Sequence, residues 1–269
     1  MQYDRFLKII KYNREQQLKV EGEVRDFFFQ RKADYNSDLL NLMLLIRPLF
    51  NEKNYLVLEL PFKDREIGAV CYKGDCFGYT LLNSALPKVN VNFALGHEIY
   101  HIFYQKKSFP SGIEFYMNEH YYEYEEEMSA NLFSGILLMP TPRFVSMFRK
   151  FREEQEAEDT EISLVIKLMS YFKVPYMAVV IRCYELELLP DGETLKELLE
   201  VTPARIEEEF YDLWLDDEVL RSTRRDDYIR LQQLVKKIGK KCEGEEILSE
   251  TTVKKVLNNM EKLYHEIRG

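Results

Sequence analysis

The sequence has no uninterrupted apolar run that approaches the roughly 20 residues a helix needs to cross a bilayer. Its longest apolar-rich stretches, such as residues 132–139, have the length of a segment buried in a core. The first residues also contain no apolar stretch long enough for a signal peptide. We therefore expect a cytoplasmic protein without a membrane-spanning segment.

The sequence also contains few cysteines, and fewer basic than acidic residues. The four cysteines are scattered and follow no CxxC zinc spacing, so we expect reduced thiols packed as small hydrophobic side chains. The 46 acidic residues outnumber the 37 basic ones and give a net charge of −9. A negative field disfavours general binding to nucleic acid or to anionic membranes. We therefore predict no direct contact with nucleic acid and no membrane association.

The pattern of apolar residues predicts helices at both ends of the chain. Residues 1–50 favour helices, with a cap at residues 36–37 and a stop at Pro48. After Pro87 the helical pattern resumes and continues to the end. A break at residues 190–192 marks the predicted boundary between a core domain and a helical extension.

Between these helical parts, three short segments are rich in valine, tyrosine, phenylalanine and leucine, which is typical of strands. They are residues 55–62, 67–72 and 76–82. Residues 73–75 supply a turn between the last two. Because the connections are short, we expect one small antiparallel sheet.

Histidine is scarce too, yet two of the four histidines stand four residues apart in the run Gly96-His97-Glu98-Ile99-Tyr100-His101. On a helix such a pair lies on one face, so both imidazoles can bind the same metal ion. Glu98 lies beside them, where its carboxylate can accept a proton from water that a zinc ion has acidified to a pKa of ~7. The helix is otherwise strongly apolar, and unpaired polar groups are costly there. The motif therefore predicts a catalytic Zn²⁺ site at His97 and His101.

A catalytic zinc needs a third protein ligand and one open position. The downstream candidates are His120, Glu123, Glu125, Glu126 and Glu127. Glu127 has a physical advantage, because it shares a helical face with the small or polar residues Ala130, Asn131 and Ser134. That face lets its helix lie close to the histidine-bearing helix, whereas Glu125 points toward a stripe of core residues. His120 stays open as a ligand, as a hydrogen-bond donor to the transition state, or as an exposed residue.

At this point the chain resembles a known family in four motifs. They are Asn83-Ser84, residues 93–102 around the histidine pair, Glu127-Met128-Ser129-Ala130-Asn131-Leu132-Phe133, and Leu137-Leu138-Met139-Pro140. The combination is similar to that of the ImmA/IrrE metallo-endopeptidases, which pair HExxH with a later E-x-x-A-N-x-F and an L-L-M-P ending. The likeness covers about residues 55–145, and residues 167–188 are similar to the helical pair that often follows the core.

The resemblance implies that His97, His101 and Glu127 bind zinc and that Glu98 is the general base. It also implies a substrate class, because members of the family cut helix-turn-helix repressor proteins. Two positions depart from the family pattern, since Ser134 stands where alanine is usual and Tyr100 stands where glycine is common. The tyrosine adds a bulky ring near the cleft.

Residues 161–188 allow a different interpretation, because the turn at Val174-Pro175 is compatible with helix-turn-helix geometry. Their basic residues are few, namely Lys167, Lys173 and Arg182. A DNA reader needs clustered basic side chains, so we predict that this segment packs against the core instead.

Together these patterns predict an α+β fold in which a small antiparallel sheet packs on a zincin-like HExxH helix and an all-helical part follows. Residues 1–190 are assigned to a zinc metallopeptidase-like domain and residues 191–269 to a helical extension. The leading function is zinc-dependent endoproteolysis of a protein partner, such as a helix-turn-helix transcriptional repressor. The alternative is a regulatory protein that keeps zinc and sequesters a partner without cutting it. Glu98 favours the enzyme, because a structural zinc does not need it.

Overall fold

The computed structural model describes residues 1–30, 42–52, 55–73, 78–104, 124–156, 159–244 and 249–268. Its elements are α1 Tyr3–Gln30, α2 Leu42–Glu52, β1 Tyr55–Leu60, β2 Ala69–Lys73, β3 Gly78–Asn83, α3 Lys88–Phe103, α4 Tyr124–Leu138, α5 Thr141–Glu153, α6 Glu161–Phe172, α7 Tyr176–Glu185, α8 Glu193–Glu200, α9 Pro203–Asp212, α10 Tyr228–Gly244 and α11 Glu250–Arg268. A 3₁₀ helix, Asp217–Leu220, lies between α9 and α10. The α+β class and the helical C-terminal part are confirmed. The predicted cap at residues 36–37 and most of the turn at residues 73–75 lie outside the described residues.

The three strands form a mixed sheet rather than the antiparallel sheet that the sequence predicts. The strand order is β1-β3-β2, so β3 is central. β2 pairs with β3 in antiparallel fashion, as expected, but β1 pairs with β3 in parallel. The expectation for β1 is wrong because residues 61–68 do not form a hairpin with it. Instead, these residues cross the end of β3, so that β2 lies on the opposite side of β3 from β1.

Asn83, at the end of β3, holds this crossing connection in place. Its fully buried side chain accepts hydrogen bonds from the backbone N–H groups of Phe62 and Ala85. Its amide group donates to the carbonyls of Asp64 and Ile67. Because both donors and the acceptor of this side chain are used, one residue fixes the loop and the turn that leads toward α3.

Pro48 does not stop helix α2 as the sequence predicts, since the helix continues to Glu52. Proline removes one backbone donor from a helix interior and disfavours helix there. Ile46 and Phe50, on either side of the proline, are both fully buried. Their burial in the core offsets the local cost and keeps the helix intact for another turn.

Helix α4 lies directly against α3, and small side chains permit this close approach. A Cβ atom built on Gly96 would lie inside contact distance of Ser134 Oγ and 3.2 Å from Ser134 Cβ. Ser134 is fully buried, and its hydroxyl donates a hydrogen bond of 2.7 Å to the Phe93 carbonyl. Ser134 therefore links the two helices by a hydrogen bond next to Gly96.

Residues after 190 pack against both the helical core and the sheet. The backbone N–H of Asp227 donates to the Glu59 carbonyl, and the Asp227 carboxylate accepts from the Glu59 N–H. These bonds cover the outer edge of β1. Leu195 and Phe210 are buried in the same core as the central helices. The domain boundary at residue 190 stays a prediction.

No single helix in the described segments is long and apolar enough to cross a membrane, and α6 with α7 meets those criteria only as a pair bent by 108°. Both helices contribute fully buried residues to the core, among them Leu164, Val165, Val179 and Val180. The segment thus packs against the core, as the sequence predicts.

Replacing Gly96 with alanine tests the contact between α3 and α4. We expect Gly96→Ala to lower the free energy of unfolding by about 1–3 kcal/mol, because the added methyl group must displace Ser134. Chemical denaturation followed by circular dichroism measures this change.

Gly135→Ala on α4 is the matched control, since nothing lies within 4 Å of a Cβ built there. Alanine at that position is expected to raise the stability by about 0.5–1 kcal/mol through its helix propensity. Equal effects of the two substitutions would contradict a tight contact at Gly96.

Candidate metal centre

Helix α3 presents His97 and His101 one turn apart, and α4 brings Glu127 to the same point. The Nε2 atoms of the two histidines lie 2.9 Å apart. Glu127 Oε2 lies 3.2 Å from His97 Nε2, and Glu127 Oε1 lies 3.4 Å from His101 Nε2. The structure therefore brings together the three side chains that the sequence nominates as ligands.

The three side chains have the chemistry and spacing of a zinc site. Their candidate ligand atoms all lie within 4.8 Å of one another. In a tetrahedral site with bonds of about 2.0–2.1 Å, neighbouring ligand atoms are about 3.3 Å apart, close to the separations measured here. Two imidazoles and one carboxylate also leave a fourth position for water or substrate. The Glu127 side chain is 36% exposed, so solvent reaches the site.

Asn131 on α4 orients the ring of His97. Its Oδ1 lies 3.0 Å from His97 Nδ1. An amide oxygen accepts hydrogen bonds, so Nδ1 carries the proton and Nε2 keeps its lone pair for a metal. Loss of such a partner typically lowers metal affinity or activity about 10- to 100-fold. Sequence reasoning gave Asn131 only a spacing role, although its position one turn after Glu127 is the signal that would have found it.

Glu98 is buried beside this group, with 6% of its surface exposed. Burial raises the pKa of its carboxyl group, and the charges of His97 and His101 oppose only part of that rise. The Cys71 thiol on β2 forms a hydrogen bond to this side chain. A glutamate with a raised pKa takes up a proton more readily than an exposed one, which suits a general base.

Glu127 has the opposite electrostatic behaviour. Burial acts to raise the pKa of its carboxyl group, but the favourable interactions with the His101 and His97 side chains outweigh burial and hold the pKa well below its usual range. A carboxylate must be deprotonated to bind a metal ion. The pKa values of the two glutamates are therefore shifted in opposite directions, that of Glu98 upward and that of Glu127 downward.

Helix α1 supports the start of α4 through Tyr12, a contact that sequence reasoning missed. The Tyr12 hydroxyl donates a hydrogen bond of 2.8 Å to the Glu125 carbonyl and lies 2.7 Å from Ser129 Oγ. These contacts flank Glu127 on both sides along the helix. The first turn of a helix lacks the full set of backbone hydrogen bonds, so the contacts from Tyr12 restrain the turn that carries Glu127. No local sequence signal links Tyr12 to a residue more than a hundred positions away.

Tyr100, inside the histidine motif, was expected to add a bulky ring near the cleft, and in the structure its side chain is buried. Only 6% of its surface is accessible, and its ring lies 5.8 Å from that of Phe133. Its hydroxyl forms a hydrogen bond with Ser129, the same side chain that Tyr12 contacts. The large side chain thus fills space between α3 and α4.

The other candidate ligands divide into two groups. Glu125 is exposed rather than directed toward core residues, and Glu126 is partly exposed. His120 and Glu123 lie outside the described residues. Within the described chain, the one group of side chains placed to hold a metal ion is His97, His101 and Glu127.

Comparison with known proteins gives one family. No curated protein matches this sequence significantly. A family model described as an IrrE N-terminal-like domain matches residues 50–184, which is half of the chain and contains the sheet, α3, α4 and every candidate site residue. Tyr12 and the residues after α7 lie outside the match. On this match, the chain belongs to the peptidase M78 family, whose common part is the IrrE N-terminal-like domain.

Proposed function

We propose that this peptidase-family protein is a zinc-dependent endopeptidase that acts in the cytoplasm. Its substrate in this proposal is a protein partner, a helix-turn-helix transcriptional repressor, and it does not itself contact nucleic acid. The observation that carries the proposal is the pairing of a three-donor metal group with a buried glutamate one residue after the first histidine. A metal site that serves structure alone has no use for that glutamate. This argument favours proteolysis over sequestration of the partner.

In this proposal each site residue has its own role in peptide hydrolysis. His97, His101 and Glu127 would hold zinc, which would supply a Lewis acid for the peptide carbonyl and lower the pKa of a bound water. Glu98 accepts a proton from the attacking water and then delivers it to the departing amine nitrogen. Asn131 keeps His97 in the tautomer that binds metal, and Tyr12 restrains the helix that carries Glu127.

Metal content tests the ligand set. We expect about one zinc per chain in the purified protein and its loss in His97→Ala and Glu127→Ala, because each variant removes one donor. Elemental analysis by mass spectrometry measures the ratio. Glu125→Ala is the matched control on the same helical turn and should keep its zinc. Full retention in Glu127→Ala would move the third ligand to another residue.

The support from α1 is tested by zinc affinity rather than zinc content. Tyr12→Phe removes the hydroxyl next to Ser129, and we expect the dissociation constant for zinc to rise about 3- to 10-fold. Competition with a chromophoric chelator measures the constant. Tyr184→Phe is the control, since it removes a comparable 2.7 Å hydrogen bond to the Pro190 carbonyl away from the metal group. If both variants bind zinc equally well, Tyr12 serves stability alone.

The role of Glu98 is tested by Glu98→Gln. The amide keeps the shape of the side chain but cannot accept the proton, so cleavage should fall at least ~100-fold while the zinc content is unchanged. The assay incubates the protein with repressors encoded next to its gene and follows fragments by mass spectrometry. Undiminished cleavage by the variant would contradict the assignment. Tight binding of a repressor by the wild type without any cleavage would favour the non-proteolytic alternative.

A further inference from the structure

A pair of aromatic side chains is exposed at the end of α9. Trp214, the one tryptophan in the sequence, is 95% exposed, and Tyr211 is 83% exposed. Trp214 is the most exposed large hydrophobic residue in the described part of the chain. Tryptophan is highly buried on average, and exposed aromatic residues of this kind are enriched where proteins bind one another.

The local backbone keeps these two side chains outward. Trp214 adopts a left-handed conformation with φ 53°, at the turn position after a helix where glycine is usual. The backbone N–H of Leu215 bonds to the Phe210 carbonyl and closes the turn. Phe210 is buried, and Leu213 and Leu215 pack against the core. The turn is thus anchored by its neighbours while the indole ring faces solvent.

The surroundings of this pair are strongly acidic. Residues 206–220 contain no lysine or arginine, and their seven acidic side chains are Glu207, Glu208, Glu209, Asp212, Asp216, Asp217 and Glu218. Arg205, Arg221 and Lys88 pair with four of them from outside the segment. Within the described chain, Glu207, Asp212 and Asp216 form no ion pair, and Asp216 accepts a hydrogen bond from the Glu218 N–H. The field around the two rings is therefore negative.

We infer that Tyr211, Trp214 and the carboxylates of Glu207, Asp212 and Asp216 form a docking surface for an arginine-rich segment of a protein partner. Guanidinium groups stack on indole and phenol faces, and tryptophan gives the strongest cation–π contact. Their planar donor groups also pair with carboxylates in fixed geometry. Arginine satisfies both features of this surface at once. An acidic or purely apolar segment satisfies at most one.

The docking surface is connected to the helix that carries the metal-binding histidines. The 3₁₀ helix that follows Trp214 contacts the start of α3, where Lys88 pairs with Glu218 and its N–H bonds to the Arg221 carbonyl. His97 is nine residues further along α3, or about 14 Å along its axis. A few residues of extended chain cover this distance between Lys88, at the edge of the surface, and His97. The surface therefore suits a basic segment that flanks the cleavage site of the substrate. This role in substrate binding rests on the proposed function, whereas the binding of an arginine-rich segment does not.

A labelled 12-residue peptide of alternating arginine and alanine, in 150 mM salt, is the probe for this surface. With zinc-loaded Glu98→Gln protein we expect saturable binding by fluorescence anisotropy. The emission of the single tryptophan should change over the same concentrations. Trp214→Ala and Tyr211→Ala should each weaken binding at least about fivefold. Phe29→Ala removes an equally exposed aromatic residue on α1 and should bind normally.

A second set of variants distinguishes a specific loss of peptide binding from a loss of folding. Glu207→Gln combined with Asp212→Asn leaves both rings in place and should also weaken binding, whereas a peptide with glutamate in place of arginine should not bind. Glu127→Ala should bind the peptide normally, so a failed metal site and a failed docking surface give different results.

Three outcomes would overturn the inference. The first is equal peptide affinity in Trp214→Ala and Phe29→Ala, which would indicate general attraction to an acidic protein. The second is a dimer in the wild type that Trp214→Ala dissociates, which would assign the surface to a second copy of the chain. The third is a change in tryptophan emission with phosphatidylcholine vesicles but none with the peptide.

Discussion

The close contact between α3 and α4 is the constraint on which the site depends. Glu127 belongs to a different helix from the two histidines, so its carboxylate reaches them only if the helix backbones nearly touch. Gly96 provides the space on one side, and Ser134 fills it while bonding to the Phe93 carbonyl. The measured separations of 2.9–3.4 Å among the three side chains follow from this contact.

Much of the support for the site comes from outside the region that the family shares. Tyr12 on α1 contacts α4 on either side of Glu127, and Asp227 bonds to the outer edge of β1. Neither residue lies within residues 50–184. The matched region therefore contains the candidate site residues, and residues outside it contact the elements that carry them.

The sequence predicted that His97, His101 and Glu127 lie together, because the signals for their proximity are local. A spacing of four residues places His97 and His101 on one helix face whatever the rest of the chain does, and the small residues after Glu127 mark a face for close packing. The order of the strands is not local information. No pattern in residues 55–82 predicts that β3 lies between β1 and β2. In the sequence, Asn83 was noted only as part of a family motif, whereas in the structure its buried side chain holds the connection between β1 and β2. For the same reason the burial of Tyr100 and the contact from Tyr12 became visible only in three dimensions.

The most direct test of the account is X-ray absorption at the zinc edge of the protein loaded with one equivalent of zinc. The account predicts a first shell of nitrogen and oxygen alone at about 2.0–2.1 Å, with the multiple scattering of two imidazoles. Glu127→Ala should lose one oxygen from that shell or fail to hold the ion. A sulfur contribution at about 2.3 Å would make the neighbouring Cys71 a ligand and would contradict the assigned site.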